Sequence, residues 1–550
     1  MARIRPVHRL WRRRIGPARA LVLPRRRAIR PLHPSGRSRR LGRGPRRNRL
    51  NAPPSSARPL RHRHVHDSRS SHAPPGSALA GFAASGNPSE MSLHRSAPAA
   101  ALLAAILLAA PAAFLSAGEW VSGPMLGYRA HREVAIWFET RDAHEVILRY
   151  HVAGHPETAR EIIRRDPPAT PAGGQPMTFV LPALEMGTAY TYSIVVDGEE
   201  QSFAYPLAFT TTDLWEWRRD PPDFTFLFGS CAYINEPRYD RPGEPYGKTV
   251  ATLQSMARSG ADFMIWVGDN IYLREADFSS PSGIWHRYAH DRALPALQPL
   301  LAAMHHYAIW DDHDYGSNNA NRSFEFKHVT LQAFQTYWPN PSAGEPDNPG
   351  IYTKFVWGDA FFILLDNRYH RDDSRLDQHT HPEKTQWGAR QFDRLKQSLL
   401  HARTLRLYPF KFIVTGSQFL SNGEPNGEGH EHFRREREEL LAFIREHDIS
   451  GVIFLTGDVH HTGLYRHRLD DSRWVYELTS SPLSSGAWTD VANSPKARDP
   501  QLVPGTLVGT QNYCRIRIAG PRDSRRVEIT CIDKERTQRW QHTIPLSALR

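Results

Sequence analysis

Four short apolar runs in this chain each end at side chains that can bind metal ions. Phe224 to Gly229 precedes Cys231, and Asp262 to Val267 precedes Gly268-Asp269-Asn270-Ile271-Tyr272. His305 to Trp310 precedes Asp311-Asp312-His313-Asp314, and Gly451 to Leu455 precedes Gly457-Asp458-Val459-His460. Runs of this length and composition read as buried strands. In an open α/β sheet ligands collect beyond the carboxyl ends of the strands, so clusters far apart in sequence can meet at one point. Two cations about 3.5 to 4 Å apart can clamp a phosphoryl group and lower the pKa of a bound water, provided anionic side chains bridge them. The pattern therefore reads as a metal-dependent hydrolase.

Asp269 suits a bridging role, because the glycine before it lets the carboxylate project past the strand end. Tyr272 lies three residues further on. Asp312, His313, Asp458 and His460 mix hard oxygen with borderline nitrogen donors, a set matched to a transition metal beside a harder cation. The competing readings are local: Asp and Asn after a strand often cap a turn, Cys231 could be a small buried hydrophobe, and Tyr272 could be packing. The shared context of strand followed by polar cluster favours metal binding for Asp269 and His460. Arg368 follows the run Phe361 to Leu365, so its guanidinium fork either meets two phosphate oxygens or forms a salt bridge to Asp366 or Asp372. Asn270, Asn318 and Tyr369 are further candidates to line the pocket.

Taken in order, Gly-Ser-Cys at 229–231, Gly-Asp-Asn-Ile-Tyr at 268–272, Trp-Asp-Asp-His-Asp-Tyr-Gly at 310–316, Leu-Asp-Asn-Arg-Tyr at 365–369, Gly-Ser-Gln at 416–418 and Gly-Asp-Val-His at 457–460 form a specific series. The series resembles the PhoD-like alkaline phosphatases of the calcineurin-like metallophosphoesterase superfamily. The likeness covers roughly residues 118 to 540. It implies an α/β fold, a metallophosphoesterase-type α/β/β/α sandwich preceded by a small β-sandwich domain. It also implies that Asp269 bridges two metals, that Cys231, Tyr272 and His460 hold an iron, Fe(III), and that Asp312 and Asp458 hold a second ion, Ca(II). His313 would then be the general acid at the leaving oxygen, with Arg368 and Asn270 on the phosphate. The implied activity is hydrolysis of phosphate monoesters or diesters by a metal-bound hydroxide. A phospholipase D-like phosphodiesterase, or a non-catalytic metal-binding surface protein on the same fold, are the alternatives. The superfamily's metal-binding His on the fifth strand has no match at Gly416-Ser417-Gln418.

The formal charge of +13 misleads until the chain is divided. The first 90 residues hold 22 Arg, no Lys and only two acids, Asp67 and Glu90, so the rest of the chain is net acidic. Rich in Arg, Pro and Ser, this segment cannot bury enough surface to fold. Met91 then opens a stretch with His94 and Arg95, an apolar run Ala97 to Leu108 and small residues up to Ala117, the layout of a secretory signal peptide. The apolar core is too short for a membrane span. The expectation is translation from Met91, export to the periplasm or exterior, and a mature chain from Gly118 with a phosphoester substrate and no nucleic-acid partner.

Residues 118–212 alternate apolar and polar in short runs such as Glu133 to Glu139 and Ala189 to Val196, a β-sandwich signature. Residues 213–222 form the linker, and 223–545 alternate strands with helical stretches such as Lys248 to Arg258 and Phe433 to His447. Cys514 and Cys531 lie in two strand-like runs; if Ile518 faces Val527, the two cysteines face each other, either as a disulfide or as packed thiols.

Overall fold

The computed structural model describes residues 118–422 and 427–550. The basic segment 1–90 and the signal-like stretch 91–117 lie outside the described residues. Two sheets form the core of the larger unit. In the first, Phe224–Gly229, Phe263–Val267 and His305–Ile309 run parallel side by side, and Asn512–Ala519, Arg526–Asp533 and Gln538–Pro545 continue it as an antiparallel flank. In the second, Ala360–Leu364, Phe410–Val414, Val452–Thr456 and Trp474–Thr479 are parallel, with antiparallel strands at both edges. Nearly every residue of these parallel strands is buried, as expected where both faces of a sheet are covered.

The two sheets meet through aromatic side chains. Phe226 lies 5.0 Å from Phe263 within one sheet and 5.4 Å from Phe362 and Phe412 of the other. Helices cover the outer faces: Leu395, Leu399, Leu440 and Ile444 pack on Phe361, Ile413 and Phe454 of the second sheet. The expected α/β/β/α layering is present. Among the described residues no helix is long and apolar enough to cross a membrane.

The amino-terminal module is a sandwich around Ile136, Phe138, Val146, Leu148, Phe179 and Ile194. It is not a separate bead, because Glu119–Arg129, Val134–Arg141 and Gln175–Leu181 extend the first large sheet to nine strands. The junction is a parallel pairing of Glu119–Arg129 with His305–Ile309, Leu126 opposite His305. The pairing expected at the carboxyl end holds as well: Ile518 faces Val527 and Cys514 faces Cys531. The disulfide does not accompany it: both cysteines are buried free thiols, and Cys531 Sγ lies 3.5 Å from Asn512 Oδ1.

Candidate metal centre

The strand ends converge tightly enough to require glycine. Gly457 approaches so closely that a Cβ there would come within 2.9 Å of the Val267 carbonyl and strike Ser230 Oγ. Gly268 has φ +88° and leaves room only for Asp311. The next residues are held in the left-handed region, Cys231 at φ 62°, Asp269 at 51°, Asp458 at 72° and His460 at 54°. Non-glycine residues tolerate this only where the surroundings dictate it, and such positions gather at functional sites.

One set of donors comprises Cys231, Asp269 and His460, whose ligand atoms lie within 4.8 Å of one another. Tyr272 joins it: its hydroxyl stands 3.2 Å from Asp269 Oδ2 and 3.4 Å from His460 Nε2. His460 Nδ1 is engaged by the Gly486 carbonyl, which fixes the tautomer and turns Nε2 towards the set. Ser481 Oγ donates to Cys231 Sγ at 3.1 Å.

Asp269, Asp312 and His313 form a second set within the same limit. The His313 ring lies 4.3 Å from that of Tyr272, and its Nε2 is 4.0 Å from Asp312 Oδ2. The Asn319 backbone N–H donates to Asp312 Oδ2 at 2.7 Å, while Asp312 Oδ1 is buried without a hydrogen bond. A third set joins Asp311, Asp312 and Glu428; Asp311 belongs to the polar cluster after Trp310, whereas nothing in the sequence marks Glu428. Asp458 belongs to none of the three sets, although its carboxyl feels Asp311, Glu428 and Asp312.

The fully buried Arg368 pairs with Asp311 and Glu428, and its Nη2 is 3.8 Å from Asp312 Oδ1. The proposed partner Asp366 instead accepts the Arg368 backbone N–H at 2.9 Å, and Asp372 pairs with Arg322 at 2.7 Å. Asn270 sends its side-chain N–H inward to the Ile309 carbonyl at 2.7 Å, leaving Oδ1 buried and unpartnered. Tyr369 turns away to His328, 2.7 Å distant. A polar cleft of about 1070 Å³, lined by Asn318, Asn319, Arg371 and Glu428 among others, adjoins the third donor set through Glu428.

The electrostatics of the site favour added positive charge. Burial, then Asp312 and Cys231, hold the Asp269 carboxyl well above its ordinary pKa; burial, then Asp311 and Glu428, do the same for Asp458. Burial lifts Asp311 to about 6 even against Arg368. Burial alone would raise Asp312 too, but His313 and Arg368 outweigh it and hold it low. Carboxylates crowded in this way cannot all ionise without added positive charge. With orphaned oxygens on Asp311, Asp312 and Asn270, the residues fit bound cations.

Comparison with known proteins agrees with this geometry. Residues 226–506 match the model of the PhoD-like phosphatase family. Alkaline phosphatase D of Bacillus subtilis (strain 168) is 25% identical over 307 residues, 48% of this chain and 49% of that protein. The chain thus matches about half the length of this relative. A solved structure of PhoD superposes with a TM-score of 0.61 at 17% identity, over 76% of this chain and 91% of that one. A purple acid phosphatase from yellow lupin (Lupinus luteus) seeds gives 0.52 at 10% identity, over 77% and 74%.

Proposed function

The chain belongs to the PhoD-like phosphatase family, and from that premise we propose that it is an exported, metal-dependent hydrolase of phosphate mono- or diesters. The observation that carries this reading is the contiguity of the three donor sets, which share Asp269 and Asp312. Cys231, Tyr272 and His460 offer thiolate, phenolate and imidazole, a set suited to Fe(III), with Asp269 shared towards the second ion. Asp312, with Asp311, Glu428 and Asp458 around it, offers oxygens only, a set suited to Ca(II). Such a pair, when bound, neutralises phosphoryl oxygens and generates a nucleophile from water at moderate pH.

The chain's own residues supply orientation and a proton. Asp269 Oδ1 accepts the His313 backbone N–H at 3.3 Å, and Tyr272 backs the ring, so the imidazole stands fixed beside the donor sets. His313 is the group we assign to protonate the departing alkoxide. Burial pushes its pKa down, against the opposing pull of Asp312, so a proton carried on this ring is readily given up. Arg371, which lines the cleft with one guanidinium nitrogen unpartnered, is a second candidate beside Arg368 for holding phosphate oxygens. The signal-like layout of residues 91–117 supports export.

The open cleft leaves room for a second ester group, which keeps the diesterase reading alongside the phosphatase one. Steady-state hydrolysis of an aryl phosphate monoester and the matching diester by metal-replete protein tests both. Faster diester cleavage assigns a phosphodiesterase, and faster monoester cleavage a phosphatase. Turnover of neither would leave a metal-binding protein without hydrolase activity.

A further inference from the structure

An aromatic wall borders the donor sets, and beyond Tyr272 neither ligand holding nor proton transfer explains it. From the His313 ring it is 4.3 Å to Tyr272, and from Tyr272 a further 6.2 Å to Tyr246. Tyr233 closes the group, 4.9 Å from Tyr272 and 5.0 Å from Tyr246. Tyr272 is buried, whereas Tyr246 is 45% exposed.

The segment carrying Tyr246 is pinned at both ends. Asn235 exchanges two hydrogen bonds with the Gly247 backbone, at 2.8 and 3.0 Å, and Lys248 N donates to the Ser484 carbonyl at 2.7 Å. At the other end Asp240 pairs with the buried Arg274 at 2.9 Å and Glu236 with the buried Arg287 at 2.8 Å. A large ring fixed half in water beside a catalytic centre forgoes burial it could otherwise gain. Support of His460 does not account for it, because Nδ1, 3.4 Å from the Tyr246 hydroxyl, already has the Gly486 carbonyl.

We infer that Tyr246, with Tyr272 behind it, is a stacking platform for a planar leaving group, so that esters of aryl or nucleobase-bearing alcohols are favoured over those of aliphatic alcohols. The inference rests on the assignment of His313 to the leaving oxygen, because a group departing past His313 then lies along the ring series. Rings stack offset or edge-on at these separations, and stacking tolerates many ring identities because each has a π face.

The test uses the metal-replete full chain and its Tyr246→Ala and Tyr246→Phe variants, assayed on 4-nitrophenyl phosphate, adenosine 5′-monophosphate and glycerol 3-phosphate. Comparing variant with parent on each ester cancels the ester's intrinsic reactivity. Tyr246→Ala should lower kcat/KM for a planar ester about tenfold more than for glycerol phosphate, mainly through KM, and Tyr246→Phe should retain most of that preference. A selective loss on the nitrophenyl ester alone places the stacked ring next to phosphorus, and one on the adenosine ester alone places it a sugar's length away. Equal losses on all three esters, or a Phe variant as impaired as Ala, would overturn the platform. If the parent turns over none of these monoesters, the same comparison is made on the aryl, adenosine and glycerol diesters; a parent that hydrolyses neither monoesters nor diesters would overturn the hydrolase reading, and this inference with it.

Discussion

The His313 backbone N–H donates to Asp269 Oδ1, while Asp269 Oδ2 faces the Tyr272 hydroxyl at 3.2 Å. One carboxylate thus joins the proposed iron-binding set to the proposed acid. Asp269→Asn replaces one of these oxygens with an amide nitrogen and removes the charge. The expected result is loss of tightly held metal together with a fall in turnover beyond the roughly 10- to 100-fold that loss of an outer-shell partner costs. Metal analysis after dialysis, run beside a kinetic assay, checks it; an active, metal-replete variant would sink the bridging role.

Arg368 is the positive charge that keeps Asp311 and Glu428 tolerable inside the protein. Arg368→Ala should destabilise the metal-stripped protein by about 3–5 kcal/mol, because it leaves buried carboxylates uncompensated. Calcium should then raise the variant's denaturation midpoint more than the parent's. Equal calcium responses would mean that the guanidinium does not share its role with a cation.

His306 supplies a pH prediction. Trp266 Nε1 donates to His306 Nδ1 at 3.0 Å, and Nε2 faces the Leu300 carbonyl at 3.0 Å, a neutral tautomer held on both sides. Burial lowers its pKa to about 3. The unfolded chain binds the proton near pH 6.5, so the folded state loses stability as pH falls from about 6.5 towards 3, by up to about 1.4 kcal/mol per pH unit for this residue. Buried His305 and His461, also lowered to about 3, add the same trend. Denaturant unfolding of His306→Gln at several pH values should give a slope shallower by about one proton, and parallel curves would refute it.

The three cysteines give a direct chemical check. All are buried and free. A thiol reagent should react slowly with the native, chelator-treated protein and then find all three thiols after unfolding without reductant. A count of one would place a bond between Cys514 and Cys531.

What could be read beforehand followed from periodicity. The apolar runs became the parallel strands, the helix expected at Phe433 to His447 spans Arg434–Glu446, and matched spacing gave the Cys514 register. The strand His155–Arg165 escaped because it is an exposed edge with almost no apolar alternation to mark it. Glu428 escaped because it lies far along the loop after Phe410–Val414 instead of directly behind an apolar run, and only the tertiary fold brings it to Asp311. Arg368 was equally undecidable, since a guanidinium that could hold phosphate can also neutralise carboxylates, and sequence does not reveal which lie near it.

Because Leu126 pairs with His305, the sandwich cannot be treated as a removable accessory. Cutting the chain within 213–222 and discarding the front part would strip the His305–Ile309 strand of a neighbour, leaving a raw row of N–H and C=O groups next to the turn that carries Asp312. Such an edge recruits other chains. Anyone trimming this protein to a minimal hydrolase would therefore be making an aggregation-prone fragment, with the seal of its central sheet torn off.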